Sequence, residues 1–561
     1  MRFWTLTLSL LLIAEASPAQ VFDRPADQPL ELPPFEPPGP QQPVLLPPIP
    51  PDSSWGGTRS ASSRLVVRGF EVRGSTIYTE AELRPLLESY IGQQIGTDEL
   101  VEIRNAVTEL YVDAGYINSG ALIPDQDPSD GIIVIQVVEG SLEGIDVTGM
   151  KRFREGVLRR RLAVGLSRPL NVKTLERNLQ VLQHDPRIDR VHARLAPGER
   201  MGEAVLQVRV EEASPYVLNV ATSNYSPVAF GAYRGRIFAA HRNLLGFGDT
   251  LSARFTAAEG LIRVDGQYEF PLNGRGTLLT VGGEYSDSEI VEDDFEFLDI
   301  QTEYWSAQVG LEHPLYRSER SELRVGVLAE RRRSKTCFNL FKDWIGCDPF
   351  SFLESGADDG EVVVSMLRFT GDWVWRDQKQ VFAARSTLSV GLPVLGASSG
   401  RAKPDGEFVA WLGQLQWARR FPLLGIQTIL RVDAQLTSDA VPSLERFPVG
   451  GHGTVLGYRE NQLVRDQGIV ASVEVRVPLL RDESGRPILE IAPFYDYGYS
   501  TNKSRPTPGP DTLASVGVGL RWSMPWGAEA NVYWGHQLDD VPTSGDLQDD
   551  GVQFQIRWDA F

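Results

Sequence analysis

At 561 residues the chain is too long for one soluble core, and 74 acidic against 55 basic side chains give it a net charge of −19, which argues against a nucleic-acid partner or an anionic membrane surface. Only 42% of residues are apolar. Beyond the N-terminus no apolar run reaches the ~18 residues of a membrane helix, so a helical membrane protein is excluded, whereas a β-barrel with half-polar strands is not. Two cysteines and six histidines rule out a disulfide scaffold and leave little stock for a metal site.

In chain order, residues 1–19 read as a secretory signal: Arg2 gives a positive start, Phe3 to Ala14 are apolar, and Ser17 and Ala19 put small residues before a cut. Residues 20–64 form a Pro-rich leader, with twelve prolines between 20 and 51. Proline fixes φ and removes a donor, so neither helix nor sheet propagates there. Residues 65–141 then alternate as a strand at Leu65 to Ser75, two helices with Leu83, Leu86, Leu87 and with Leu100, Ile103, Val107, Leu110 on their buried faces, and two strands at Ile117 to Ile123 and Ile132 to Glu139. Thr97 is the expected N-cap of the second helix. Residues 142–213 repeat the order β-α-α-β-β. Both copies carry a turn glycine (Val72-Arg-Gly74, Val147-Thr-Gly149) and an acidic strand end (Val138-Glu139, Val210-Glu211-Glu212).

From 214 to 561 period-2 alternation takes over, as in Leu323, Val325, Val327, Ala329 and in Val409, Trp411, Leu415, Trp417, with polar residues such as Arg324, Glu330, Arg431, Asp433 and Glu474 between the apolar ones. Sixteen such segments begin near 216, 231, 249, 261, 277, 302, 321, 361, 380, 407, 424, 467, 487, 511, 526 and 550. Connections after odd segments are often long (287–301, 333–360, 393–406, 438–466) and those after even segments short, which is the pattern of a transmembrane barrel with long outer loops. Tryptophans such as Trp305, Trp373, Trp411, Trp522 and Trp558 suit its interfacial girdles. The expected fold is a membrane all-β barrel of sixteen antiparallel strands preceded by two α+β β-α-α-β-β periplasmic domains. On the thirteenth segment, alternation puts Leu489, Ile491, Tyr495 and Tyr497 on the lipid side and Glu490, Phe494, Asp496 and Gly498 on the lumen side.

Several stretches carry a family resemblance: Phe70-Glu-Val-Arg-Gly-Ser-Thr76, Asn224-Tyr-Ser-Pro227 with His241 to Leu251, the loop run Phe447 to Asn461, and Phe494-Tyr-Asp-Tyr-Gly498. In this order they resemble the transporter component of two-partner secretion, the haemolysin-activator and filamentous-haemagglutinin-transporter branch of the Omp85 superfamily, and the two repeats resemble its POTRA domains. The resemblance implies an outer-membrane translocator, not an enzyme, that needs no cofactor and exports a large partner exoprotein with an N-terminal secretion domain. Capture would fall to the POTRA domains, and loop 438–466 would gate the barrel. An Omp85-type factor that inserts barrels is the alternative. The resemblance also implies partners in outer-membrane lipid and in the barrel assembly machinery, the last strand, Gly551 to Phe561, reading as an assembly signal.

The family's loop motif is V-R-G-[YF], whose Arg pairs with the Asp of an F-x-D-x-G strand motif. The candidate lid residues are therefore Gly450, Gly451, Val455, Leu456, Gly457, Tyr458 and Arg459, and the barrel-wall residues are Phe494, Asp496 and Gly498. Leu456 stands where the Arg belongs. Either Arg459, Arg446 or Arg465 substitutes as the partner of Asp496, or Leu456 simply packs and the loop is anchored by its glycines and Tyr458. Cys337 and Cys347, in the loop after the seventh strand, are expected to form a local disulfide. The acidic clusters at Glu292-Asp-Asp294, Asp358-Asp359, Asp539-Asp540 and Asp549-Asp550 read as solvated loop charge, with divalent-cation binding as the alternative. No G-x-S-x-G, H-E-x-x-H or P-loop is present.

Overall fold

The computed structural model describes Leu30, Leu32, Phe35 and residues 64–560, apart from 128, 294–295, 319, 339–347, 350–359, 399–403, 423 and 542–544. The expected signal, 1–19, and nearly all of the leader, 20–64, lie outside the described residues. The rest divides into one unit ending at Ala213 and another beginning at Ser214.

In the first unit the strand Gly69–Arg73 runs parallel to Ile132–Val138, whose other edge takes Gly120–Leu122 antiparallel. The helices Glu80–Leu87 and Thr97–Asp113 supply Leu83, Leu87, Ile103, Val107 and Tyr111 to a core with Ile133, Ile135 and Val137. The four-residue spacing of Ile103, Val107 and Tyr111 keeps them on one helix face. Thr97 is not the N-cap. Gly96 holds that position, and the Glu99 carboxylate accepts its backbone N–H at 2.8 Å, so the side chain three residues in does the capping.

The order recurs with strand Ser141–Thr148, helices Glu155–Leu162 and Val172–Gln183, and strands Ile188–Pro197 and Glu203–Glu212. Two local devices recur with it. Gly74 and Gly149 adopt φ of +81° and +85°, and a Cβ on either would sit 2.4 Å from the carbonyl oxygen of Val137 or Val210. Two residues beyond those valines, Glu139 accepts the N–H groups of Thr76 and Ile77, and Glu212 those of Lys151, Arg152 and Phe153. Each carboxylate thus satisfies donors of the turn that follows the glycine. The copies join without a spacer: Leu170 N–H donates to Gly140 O at 2.7 Å and Val172 N–H to Gly115 O at 2.8 Å.

Asp185, just past the second helix of the second copy, is buried between Arg161 (2.7 Å) and Arg187 (2.8 Å). Burial alone would raise its carboxyl, but the two guanidinium groups outweigh that and hold it at about 2. The folded value lies below the unfolded one, so the stabilisation is complete above about pH 4 and is lost as pH falls toward about 2. Asp185→Asn is expected to weaken this unit by about 2 kcal/mol near neutral pH and by almost nothing near pH ~2. Hydrogen-exchange protection of Val172–Gln183 in the detergent-solubilised chain reads this out, and a penalty that does not change with pH would contradict it.

The second unit is a closed antiparallel barrel of sixteen strands. The first eight are Tyr216–Ser223, Arg234–Arg242, Thr250–Ala258, Leu261–Pro271, Leu278–Glu289, Ile300–Arg317, Ser321–Phe338 and Glu361–Arg376. The ninth to sixteenth are Gln380–Leu392, Val409–Arg420, Gln427–Thr437, Gln467–Arg481, Pro487–Thr501, Thr512–Ser523, Ala528–Gln537 and Val552–Asp559. The sixteenth closes on the first, Gln555 opposite Ser223 and Asp559 opposite Asn219. Where a predicted start is early, as at 231 against Arg234, a 3-10 turn at Val228–Phe230 holds the chain out of the ladder.

Alternation decides the two faces. Tyr495, Tyr497 and Tyr499 are exposed on the outer wall, while Phe494, Asp496 and Ser500, which alternate with them, are buried. Among the exposed outward side chains are Trp373, Trp411, Trp522, Trp526, Trp534 and Trp558. No helix among the described residues is long and apolar enough to cross a membrane. Cys337 is disulfide-bonded, and its expected partner Cys347 lies outside the described residues.

Candidate functional site

The connection after the eleventh strand, 438–466, turns back into the barrel. A 3-10 turn at Ser443–Glu445 leads to a short hairpin, Phe447–Val449 paired with Leu463–Arg465. Phe447, Val449, Val455, Tyr458 and Leu463 pack against Leu412, Val470 and Leu513. Those three are buried positions of the tenth, twelfth and fourteenth strands, so the loop lies on the inner wall and covers apolar lumen surface that would otherwise be wet.

Its foot is ionic. Glu445 accepts from both terminal nitrogens of Arg368 at 2.8 and 3.0 Å. Arg368 also donates to Glu330 at 3.0 Å, and Arg332 donates to Glu330 at 2.7 Å and to the Leu444 carbonyl at 3.2 Å. These four side chains are 1–6% exposed. Two positive and two negative charges balance, and the paired guanidinium geometry satisfies the buried carboxylates.

Its tip docks through backbone. Asp496 accepts the Leu456 N–H at 3.0 Å on one oxygen and the Ser472 hydroxyl at 2.5 Å on the other. Gln553 accepts the Gly457 N–H at 3.3 Å and donates to the Tyr458 carbonyl at 2.9 Å, and Gln537 donates to the Gly457 carbonyl at 2.7 Å. The Tyr458 hydroxyl donates to Ala514 O at 2.8 Å. Gly457, at φ +90°, lies against the backbone of Gly535: a Cβ on it would be 2.8 Å from the Gly535 carbonyl oxygen. The glycine of the wall motif has the same rationale, since a Cβ on Gly498 would meet Val449 at 2.4 Å and Val455 at 2.9 Å. Gly450 and Gly451 turn the chain at φ +107° and +100°. His452 stacks on Tyr225 at 3.9 Å between ring centroids.

The structure therefore brings the loop and wall motifs together, but not through an arginine. Among the described residues no guanidinium bonds Asp496. Arg459 is taken by Asp549 and Glu292, Arg446 faces Asp466 at 4.0 Å, and Arg465 donates to the carbonyls of Ser500 and Pro510. The substitution expected of these three arginines does not occur, because neutral donors occupy both oxygens of Asp496. The Leu456 side chain clusters with Ala492, Phe494 and Tyr533. Glu292 and Asp549 are likewise not solvated charge; both are ion-paired. The charged foot went unassigned in the sequence, although Glu330 and Arg332 already stand at lumen-facing positions of an alternating strand.

The comparisons agree with this architecture. The profile of the "POTRA domain, ShlB-type" matches residues 65–140. That of the "Haemolysin secretion/activation protein ShlB/FhaC/HecB" matches residues 202–341 and 372–522. This chain belongs to the ShlB/FhaC/HecB family. It is an outer-membrane β-barrel transporter of two-partner secretion with a POTRA domain. The heme/hemopexin transporter protein HuxB of Haemophilus influenzae (strain 86-028NP) is 21% identical over 488 residues, covering 82% of this chain and 81% of that one. The outer membrane transporter CdiB of Escherichia coli O6:K15:H31 is 23% identical over 443 residues, covering 74% and 69%. The solved structure of CdiB from Escherichia coli superposes with a TM-score of 0.65 at 18% identity, covering 92% of this chain and 93% of that one, and shows the shared fold.

Proposed function

We propose that this ShlB-family chain exports a large exoprotein bearing an N-terminal secretion domain, that two POTRA domains, 65–141 and 142–213, capture it, and that loop 438–466 is the movable lid of the conduit. Edge strands such as Gly69–Arg73 and Ser141–Thr148 offer main-chain donors and acceptors to an extended segment of unfolded cargo. A sixteen-stranded barrel leaves a water-filled bore. The observation that carries the gating reading is that the loop is held on the inner wall only by non-covalent contacts, namely hydrogen bonds, ion pairs and an apolar cluster, and is not part of the barrel ladder. Folding of the cargo at the cell surface supplies the direction of transport, since no nucleotide site is expected. Outer-membrane lipid surrounds the barrel, and the barrel assembly machinery inserts it.

Planar-bilayer recording of the purified full-length protein, with and without residues 438–466, tests the lid. The deletion is expected to raise mean conductance severalfold; equal conductance of the two proteins would remove the gating role. Cells lacking the gene are expected to lose one large surface or secreted protein and to keep their other barrel proteins, whereas a general loss of barrels would favour an insertion factor.

A further inference from the structure

We propose that the latch of this lid has moved out of the family motif: Arg459, clamped by Asp549 and Glu292, holds the loop shut from the outer rim. The proposal rests on the lid reading above. With Leu456 in the motif position, the tie to the barrel wall at Asp496 comes down to one backbone N–H. One residue past the motif, Arg459 makes a two-pronged contact with Asp549, at 2.5 and 2.7 Å, and reaches Glu292 with its third nitrogen at 3.1 Å. All three guanidinium nitrogens are thus committed to carboxylates, the geometry in which arginine holds most firmly.

These carboxylates belong to loops, not to the wall. Asp549 lies between the fifteenth and sixteenth strands and Glu292 between the fifth and sixth. The next lid residue extends the contact: Glu460 donates its N–H to Gln548 at 2.8 Å, and the Gln548 amide donates to the carbonyls of Asn224 and Ser226, after the first strand, at 2.7 and 2.8 Å. Arg459 and Glu460 therefore tie the lid to three outer loops, on both sides of the junction where the sixteenth strand meets the first.

Exposure separates this latch from the foot. The Arg459 and Glu292 side chains are 17% and 19% exposed and Asp549 beneath them 5%, against 1% for Glu445 and 5% for Arg368. Water and salt reach the Arg459–Glu292 arm of the latch and not the foot. Screening therefore weakens the Arg459–Glu292 arm while the foot stays bound, and the lid releases from the rim and swings about Ser443–Glu445.

Single-channel recording of the full-length protein tests this, with correct folding of each variant checked by heat-dependent gel mobility. Arg459→Ala is expected to raise open probability about tenfold or more, and Arg459→Lys to have a smaller effect. The pair Asp549→Asn with Glu292→Gln is expected to match Arg459→Ala, and adding Arg459→Ala to that pair should change little. Raising KCl from about 0.1 M to about 1 M should increase the open probability of the unaltered protein and leave that of Arg459→Ala unmoved. If deletion of 438–466 opens the channel while Arg459→Ala gates like the parent, the latch proposal falls and the lid stands. If neither alters gating, the lid reading falls and takes the latch with it. If Arg459→Ala opens the channel equally in the parent and in the double carboxylate variant, Arg459 acts through something other than Asp549 and Glu292, and the proposal is overturned.

Discussion

Gly457→Val is expected to unseat the loop tip and leave the barrel leaking ions. The position is at φ +90°, and the first added carbon would lie within 3.0 Å of the carbonyl oxygen, carbonyl carbon and Cα of Gly535. A β-branched residue forced into left-handed backbone pays roughly 1–3 kcal/mol of strain before any clash is counted. The obstructing atoms are backbone of a barrel strand, which cannot step aside as a flexible side chain can. Together these penalties exceed about 3 kcal/mol, enough to shift the seated-to-unseated ratio by about a hundredfold. The hydrogen bonds of Leu456, Gly457 and Tyr458 to Asp496, Gln553, Gln537 and Ala514 would be lost with the seat. Gly453, four residues earlier on the same loop, is the internal control: a Cβ there meets nothing within 4 Å, so Gly453→Ala should conduct like the parent. Bilayer conductance decides the matter, and equal leak from the two variants would contradict the seat described here.

Glu445→Ala is expected to be the most damaging removal of a single carboxylate in the barrel. It leaves Arg332 and Arg368, 6% and 5% exposed, sharing Glu330 alone. Breaking a buried ion-pair network by deleting one partner destabilises by about 3–5 kcal/mol, because one carboxylate is then left to neutralise two buried cations that water does not reach. The comparison is Glu361→Ala. Glu361 pairs with Arg333 on adjacent strands at 2.7 Å, but its side chain is 33% exposed, and removing it should change stability by only about 0–1 kcal/mol. The temperature at which the barrel loses its compact gel mobility should fall clearly for Glu445→Ala and scarcely for Glu361→Ala. Protease cleavage within 438–466 should rise for Glu445→Ala alone. Similar thresholds for both variants would show that the foot is not anchored by this network.

Much of the architecture was legible because its signals are local. A strand between lipid and water announces itself by alternation, so Tyr495, Asp496 and Tyr497 could be placed on their faces without any neighbouring strand. The glycine turns at Gly74 and Gly149 and the carboxylates two residues beyond the facing valines repeat for the same reason. Helix capping was less legible, because Thr97 and Gly96 differ only in which backbone N–H the Glu99 side chain reaches.

The loop marks the boundary. Its motif and its glycines could be read from residue order and its pairing with the strand bearing Asp496 was implied by the resemblance, whereas the identity of each charge partner could not be read. Arg459 meets Asp549 and Glu292 across 90 and 167 residues, and Arg368 meets Glu445 across 77. An arginine near a vacant motif position carries no sign of which distant carboxylate it will face. That choice belongs to barrel closure, which brings the loops after the first, fifth and fifteenth strands to one rim and turns chain separation into contact. Residue order alone determined a two-faced, sixteen-strand wall, while the place of the loop within it was only what the family resemblance implied. The tertiary structure alone decided that the loop rests on neutral donors at Asp496 and on ion pairs at its foot and tip, because the electrostatics of a buried charge depend on what surrounds it in space and not on its sequence neighbours.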